Sequence, residues 1–322
     1  MQPLLQIENL SVTFTTDEGL VPAVSNISLT LQRGQVLGLV GESGCGKSVT
    51  AMSILRLIPQ PPGRITQGRI LFEDQDLLKL PLEQLRAVRG RRIAIIFQEP
   101  MTALSPLHRI GAQLVEALRL HRDLSPKAAW DIATEWLAKV GIPDAPERMY
   151  AWPHQLSGGM RQRVMIAMAM MLEPDLLIAD EPTTALDVTV QAQIFDLMRQ
   201  LMQKDAGLLL ITHDMGVIWE MCTQVAVMYA SEVVETGPVE AVFKTPRHPY
   251  TKALLAAIPA NAIPQQRLPA IPGQVPSHLA LPLGCHFADR CTHVFEPCRT
   301  QHPPLFTAGD CCSRCFLNGG KA

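Results

Sequence analysis

Eight residues, GESGCGKS at 41–48, have the types and spacing to hold a polyphosphate. Gly41, Gly44 and Gly46 let the backbone curl so that consecutive N–H groups face an anion, while Glu42, Ser43 and Cys45 fill the variable positions. Lys47 is placed to reach the β- and γ-phosphates, and Ser48 to ligate Mg²⁺. An apolar run, QVLGLV at 35–40, leads into the loop and a helical pattern from Ser48 to Ile58 leaves it, so a helix N-terminus adds its dipole. Cys45 reads as a tolerated variable residue that makes the loop sensitive to thiol reagents. Further on, LLIADE at 176–181 is a buried strand ending in two acids. Asp180 can hold Mg²⁺ through water, and Glu181, on the other face of the strand, can polarise an attacking water. Alone, such a run is a strand leaving the core; beside a phosphate loop it reads as catalytic.

Positioning these residues calls for a parallel sheet with helices on its faces, because strand-like and helix-like stretches alternate along the front of the chain. DLLIADE and GLLLIT (207–212) are strand-like, and TVQAQIFDLMRQLMQK between them puts Val190, Ile194, Leu197, Met198 and Leu201 on one helical face. LLQIENLSVTF and GRILFEDQDL (68–77) read as strands of a flanking antiparallel sheet. Residues 104–172 carry helical patterns, as in SPKAAWDIATEWLAKVG, where Ser125 is the N-cap, Pro126 opens the helix and Gly141 ends it. The expected fold is α/β: a parallel-sheet P-loop NTPase core with an antiparallel β subdomain and an inserted helical subdomain. Proline shifts the composition toward the end, with 12 of 26 between 238 and 304. The expected division is residues 1–240 as the nucleotide domain, with the helical part at 104–172, and residues 241–322 as a short irregular tail.

Composition removes several function classes. A net charge of -2 gives no reason to expect nucleic acid as a partner. The longest apolar run, VMIAMAMML at 164–172, is far below the ~20 residues of a membrane helix. The start shows no secretory pattern, so a cytoplasmic place is expected. In that compartment the six cysteines between 285 and 315, out of eight in the chain, are not expected to form disulfides. A metal is the remaining reading. Zinc sites favour close C-x₂₋₄-C pairs, such as Cys312 and Cys315, whereas iron–sulfur clusters accept the wider spacing of Cys285, Cys291 and Cys298.

With LSGGMRQR at 156–163, Gln98 in IIFQEP, TTALD at 183–187 and His213 in LLITHD, the chain resembles the ATP-binding subunits of ABC transporters from Leu4 to about Gly237. The resemblance implies an ATPase. Glu181, His213 and Gln98 would be catalytic, and Ser48, Gln98 and Asp180 would hold Mg²⁺. Phe14 would stack on adenine, although it also suits a core strand. Ser157, Gly158, Gly159 and Met160 would be the signature that closes on a partner's ATP, and Ala185, Leu186 and Asp187 the D-loop. EPMTALSPLHRIGAQL, PRHPYTKALLAAIP and QRLPAIPGQVP narrow the resemblance to dipeptide and oligopeptide importer ATPases, with nickel and glutathione importers close by. It implies a paralogous ATPase partner, two membrane permeases, a substrate-binding protein outside the cell, and a place on the cytoplasmic face of the inner membrane. It further implies a [4Fe–4S] cluster on Cys285, Cys291, Cys298 and Cys315, with Cys311 and Cys312 as rivals for the last position; a proline-rich tail of this length would need such a staple.

Overall fold

The computed structural model describes residues 2–98, 103–183, 187–258 and 270–319. The chain forms two compact units, residues 1–79 with 210–322, and residues 80–209.

The first unit begins with β1 (Leu5–Thr16) and β2 (Gly19–Leu31), an antiparallel pair in which Leu5 faces Leu31 and Ile7 faces Leu29. Leu5, Ile7, Leu10 and Val12 of β1 are buried with Leu29 and Leu31, so one face of the pair is core. β3 (Val36–Val40) runs into the loop that precedes α1 (Lys47–Ile54). β4 (Gly63–Phe72) adds to the other side of β1, and β5 (Gln75–Asp76) closes a four-stranded antiparallel sheet in the order β2-β1-β4-β5. The antiparallel subdomain read from the sequence is therefore present. The first helix ends four residues before Ile58, at a short turn running into Pro59, Pro61 and Pro62, which cannot donate the helical N–H.

The second unit starts with α2 (Leu82–Val88) and β6 (Ile93–Ile96). Helices follow: α3 (Ile110–Arg119), α4 (Pro126–Lys139), α5 (Ala145–Arg148) and α6 (Gly158–Met170). Ser125 Oγ accepts from the Ala128 N–H at the start of α4, Pro126 is its first residue, and Gly141 turns the chain at φ +77. β7 (Leu176–Asp180) is buried at every position and pairs in parallel with β6, Ile93 opposite Leu176 and Ile96 opposite Ala179. α7 (Val188–Leu201) completes the unit, and β8 (Gly207–Thr212) leads back across the division.

The first unit then resumes with α8 (Met215–Met221) and β9 (Gln224–Tyr229), which lies parallel to β3. β10 (Glu232–Pro238) turns back antiparallel to β9. α9 (Val239–Lys244), α10 (Pro249–Ala256) and α11 (Glu296–Thr300) follow, and then β11 (Phe306–Ala308) and β12 (Cys311–Ser313). β12 pairs with β10 and β11 with β12, so within this unit the tail extends the sheet in the order β11-β12-β10-β9-β3. Tyr229, Tyr250 and Phe287 pack ring on ring, with centroids 4.6–5.4 Å apart, and join the tail to the sheet. Among the described residues no helix is long and apolar enough to cross a membrane.

Candidate functional site

The loop between β3 and α1 is shaped by close backbone approach. A Cβ on Gly46, which sits at φ +107, would lie 2.3 Å from the Ala23 carbonyl, and one on Gly41 would lie 2.2 Å from that of Met228. Gly44, at φ +81, faces open space. Lys47 is buried, and its Nζ donates back to the carbonyls of Gly41 (2.8 Å) and Glu42 (3.0 Å), which holds the ammonium over the loop. Because the N-cap is Gly46, no side chain caps α1, and no acid stands in its first turn. An anion therefore meets backbone N–H groups, the helix dipole and an ammonium at one place. That donor set suits ATP phosphates, with the Ser48 hydroxyl beside them as an oxygen ligand for Mg²⁺. Cys45 corrects its expectation: it is 1 % exposed, so its sulfur is shielded from thiol reagents, and burial pushes its thiol up from the ordinary range.

In the second unit Asp180 ends the buried β7 at 5 % exposure. Glu181 follows with φ +45, a conformation that non-glycine residues hold only at some cost, and one that is frequent at functional turns. Gln98 Nε2 donates to Glu181 Oε2 at 3.2 Å, so two of the residues singled out in the sequence meet. Ser157 is the N-cap of α6, its Oγ accepting from the Met160 N–H at 3.3 Å; a Cβ on Gly158 would meet open space, and one on Gly159 would lie 3.6 Å from Val190 Cγ1. Five residues after Ser157, the buried Gln162 donates to the carbonyl of Pro182, which ties this helix to the turn after Glu181. Asp187 caps α7, accepting from the Val190 N–H at 2.9 Å; Ala185 and Leu186 lie outside the described residues.

His213 follows β8 in the first unit and is exposed, one residue before Asp214, which caps α8. Phe14 stands opposite Gly63 on β4, with its ring against the space a Cβ would take there, so cross-strand packing already accounts for part of its face.

Residues 24–184 match the ABC transporter family, and residues 234–298 match the oligopeptide/dipeptide transporter C-terminal region. The chain belongs to the ABC transporter family. It is an ATPase of that family. It is 48% identical to the dipeptide transport ATP-binding protein DppD of Bacillus subtilis over 324 residues, covering 100% of this chain and 97% of that protein. It is 47% identical to the oligopeptide transport ATP-binding protein OppD of the same organism, covering 95% of this chain and 86% of that one. A solved structure of the ATP-binding cassette MJ0796, a dimer bound to ADP and Pi, aligns with TM-score 0.65 at 25% identity, over 73% of this chain and 98% of that one.

The tail of this ABC ATPase corrects the iron–sulfur expectation. Cys285, Cys291, Cys298 and Cys315 line one hollow with Phe287, Phe316 and Leu317, while Cys311 and Cys312 lie on β12. That hollow holds about 10 Å³, room for about one water molecule and not for an eight-atom cluster. Burial pushes the Cys285 thiol up to about 12 and raises Cys291 and Cys315. The matched family and the relatives named above are ABC transport ATPases, and the C-terminal match stops at Cys298. The physical premise fails as well, because the tail does not stand alone. It adds strands to β10, Glu232 takes the ring N–H of His302 at 2.8 Å, and buried Glu235 accepts the backbone N–H groups of Arg247 (2.7 Å) and His248 (2.9 Å).

Sequence reading missed three residues beside the phosphate loop: Tyr250, His278 and Arg290. Two of them stand in stretches noted for other reasons, PRHPYTKALL for its family resemblance and GCHFADRC for its cysteines.

Proposed function

We propose that this chain is the ATP-hydrolysing subunit of an importer of dipeptides or oligopeptides. The observation that carries the ATP reading is the loop 41–48, where an uncapped helix start, glycine-only backbone geometry and the ammonium of Lys47 converge. The peptide reading is supported by the C-terminal region at 234–298 and by the full-length likeness to DppD and OppD.

In this reading the backbone of Gly41–Gly46 and Lys47 bind the phosphates, and Phe14 stacks on the base. Ser48, Gln98 and Asp180 would hold Mg²⁺, and the ion would offset charge on the phosphate oxygens. Glu181 orients and polarises the attacking water, Gln98 holds the Glu181 carboxylate in place, and His213 meets the γ-phosphate. Ser157, Gly158, Gly159 and Met160, at a helix start with open glycines, serve the ATP of a second, paralogous ATPase, with Ala185, Leu186 and Asp187 between the two. ATP then joins the two ATPases and hydrolysis releases them, a population shift transmitted to two permeases on the inner membrane, which receive peptide from a binding protein outside. Residues 1–240 form the ATPase domain and residues 241–322 the extension.

Glu181→Gln in the assembled transporter tests the chemistry. Losing a positioned base predicts a fall in ATP turnover of about 10²-fold or more with ATP binding retained. Unchanged turnover removes Glu181 from its role. Peptide uptake by cells carrying the same variant, compared with uptake of nickel and glutathione, tests the cargo.

A further inference from the structure

Glu42 is an acid inside an anion-binding loop. A bare carboxylate there would repel the phosphates the loop is built to hold. The structure shows how that charge is met. Arg290, from the C-terminal tail, grips both Glu42 oxygens in a fork, NH1 to Oε2 at 2.7 Å and NH2 to Oε1 at 3.0 Å. The guanidinium is itself held: its side chain is 5 % exposed, Nε donates to the Pro272 carbonyl at 2.9 Å, NH1 reaches the Tyr229 hydroxyl at 3.3 Å, and the group lies over the Tyr229 ring at 5.7 Å. Two more tail residues touch the loop backbone. The Glu42 N–H donates to the Tyr250 hydroxyl at 3.0 Å, and His278 Nε2 lies 3.1 Å from the Gly44 carbonyl. On its other side the His278 Nδ1 faces Ser231 Oγ at 2.9 Å, which anchors the ring to the turn after β9.

We propose that the C-terminal extension is a working part of the nucleotide site. Arg290 is a positioning residue that neutralises Glu42 and draws its carboxylate away from the phosphate seat, while Tyr250 and His278 fix the loop backbone on either side of Ser43. The proposal rests on the reading of residues 41–48 as the ATP loop. It also explains why an acid is tolerated there: the tail supplies its counter-charge.

The test is the MgATP Kd of the full-length chain, measured by calorimetry, with thermal melting recorded beside it. Arg290→Met keeps bulk over Tyr229 but uncovers the Glu42 charge, and is expected to weaken MgATP binding about tenfold. Adding Glu42→Gln removes that charge and is expected to bring the Kd back to within about threefold of the native chain. A merely structural Arg290 would give no such rescue. A Kd within twofold of native in folded Arg290→Met, or a double variant as weak as the single one, overturns the clamp. Where Arg290→Met does not fold, Arg290→Lys keeps the charge and loses the fork; a Kd about threefold weaker supports the clamp and an unchanged one overturns it. Lys47→Ala separates the two readings. Lost ATP binding there with native affinity in Arg290→Met overturns the clamp alone, whereas retained binding in Lys47→Ala overturns the loop reading and the clamp together.

Discussion

His248 is 1 % exposed, and its Nδ1 accepts the Tyr250 N–H at 3.1 Å to cap α10. Desolvation pushes its pKa down to about 3, against a backbone hydrogen bond with Arg314 that acts the other way. The folded value lies below the unfolded one, so the unfolded chain binds the extra proton between about pH 6.5 and 3. Stability from this group is full above pH 6.5 and falls as the solution is acidified, by up to about 1.4 kcal/mol per pH unit. Burial raises the Glu235 carboxyl, which contributes a slope of opposite sign, so the informative comparison is native against His248→Asn. Asparagine keeps an acceptor for the cap and cannot take the proton, and urea unfolding from pH 7 to pH 4 should show a shallower loss for the variant. At this scale the sequence was legible where a residue type admits one use, as with Lys47 in its glycine frame. It was not legible for Cys45, because a motif position marked as variable says nothing about the direction its side chain points. Arg290 was hidden for a different reason: its partner Glu42 lies in another part of the chain, and no spacing rule connects them.

β12 extends the sheet by pairing with β10, and Gly237 on β10 leaves room for it. A Cβ on Gly237 would lie 2.7 Å from the Cys311 sulfur and 3.2 Å from the Cys311 Cα. Gly237→Val therefore pushes the tail strand off the sheet, at an expected cost of about 1–3 kcal/mol, read as a lower midpoint in urea. The same change should speed proteolysis within the tail, since local opening governs cleavage. β1, β7 and α4 were legible because each is long enough to show its period or its caps. β11 and β12 are three residues each, too short to display alternation, so a proline- and cysteine-rich stretch read as irregular when part of it is sheet. That misreading also produced the demand for a metal staple, which backbone pairing and the Tyr229–Tyr250–Phe287 cluster meet instead.

For the whole molecule, the proposed cycle predicts association that depends on nucleotide. With Glu181→Gln blocking turnover, MgATP should hold this chain and its paralogue together, visible as a rise in mass by light scattering that MgADP does not produce. No rise with MgATP would count against ATP as the joining ligand. The Glu42–Arg290 pair has a further consequence in time. The two residues are 248 positions apart, so the loop is synthesised long before its counter-charge. An unfinished chain still on the ribosome, or one truncated before the tail, would carry the full phosphate motif with an unanswered carboxylate in it. Tight nucleotide capture would then be a property acquired only once Arg290 has been made, and copies lacking it would compete poorly for ATP.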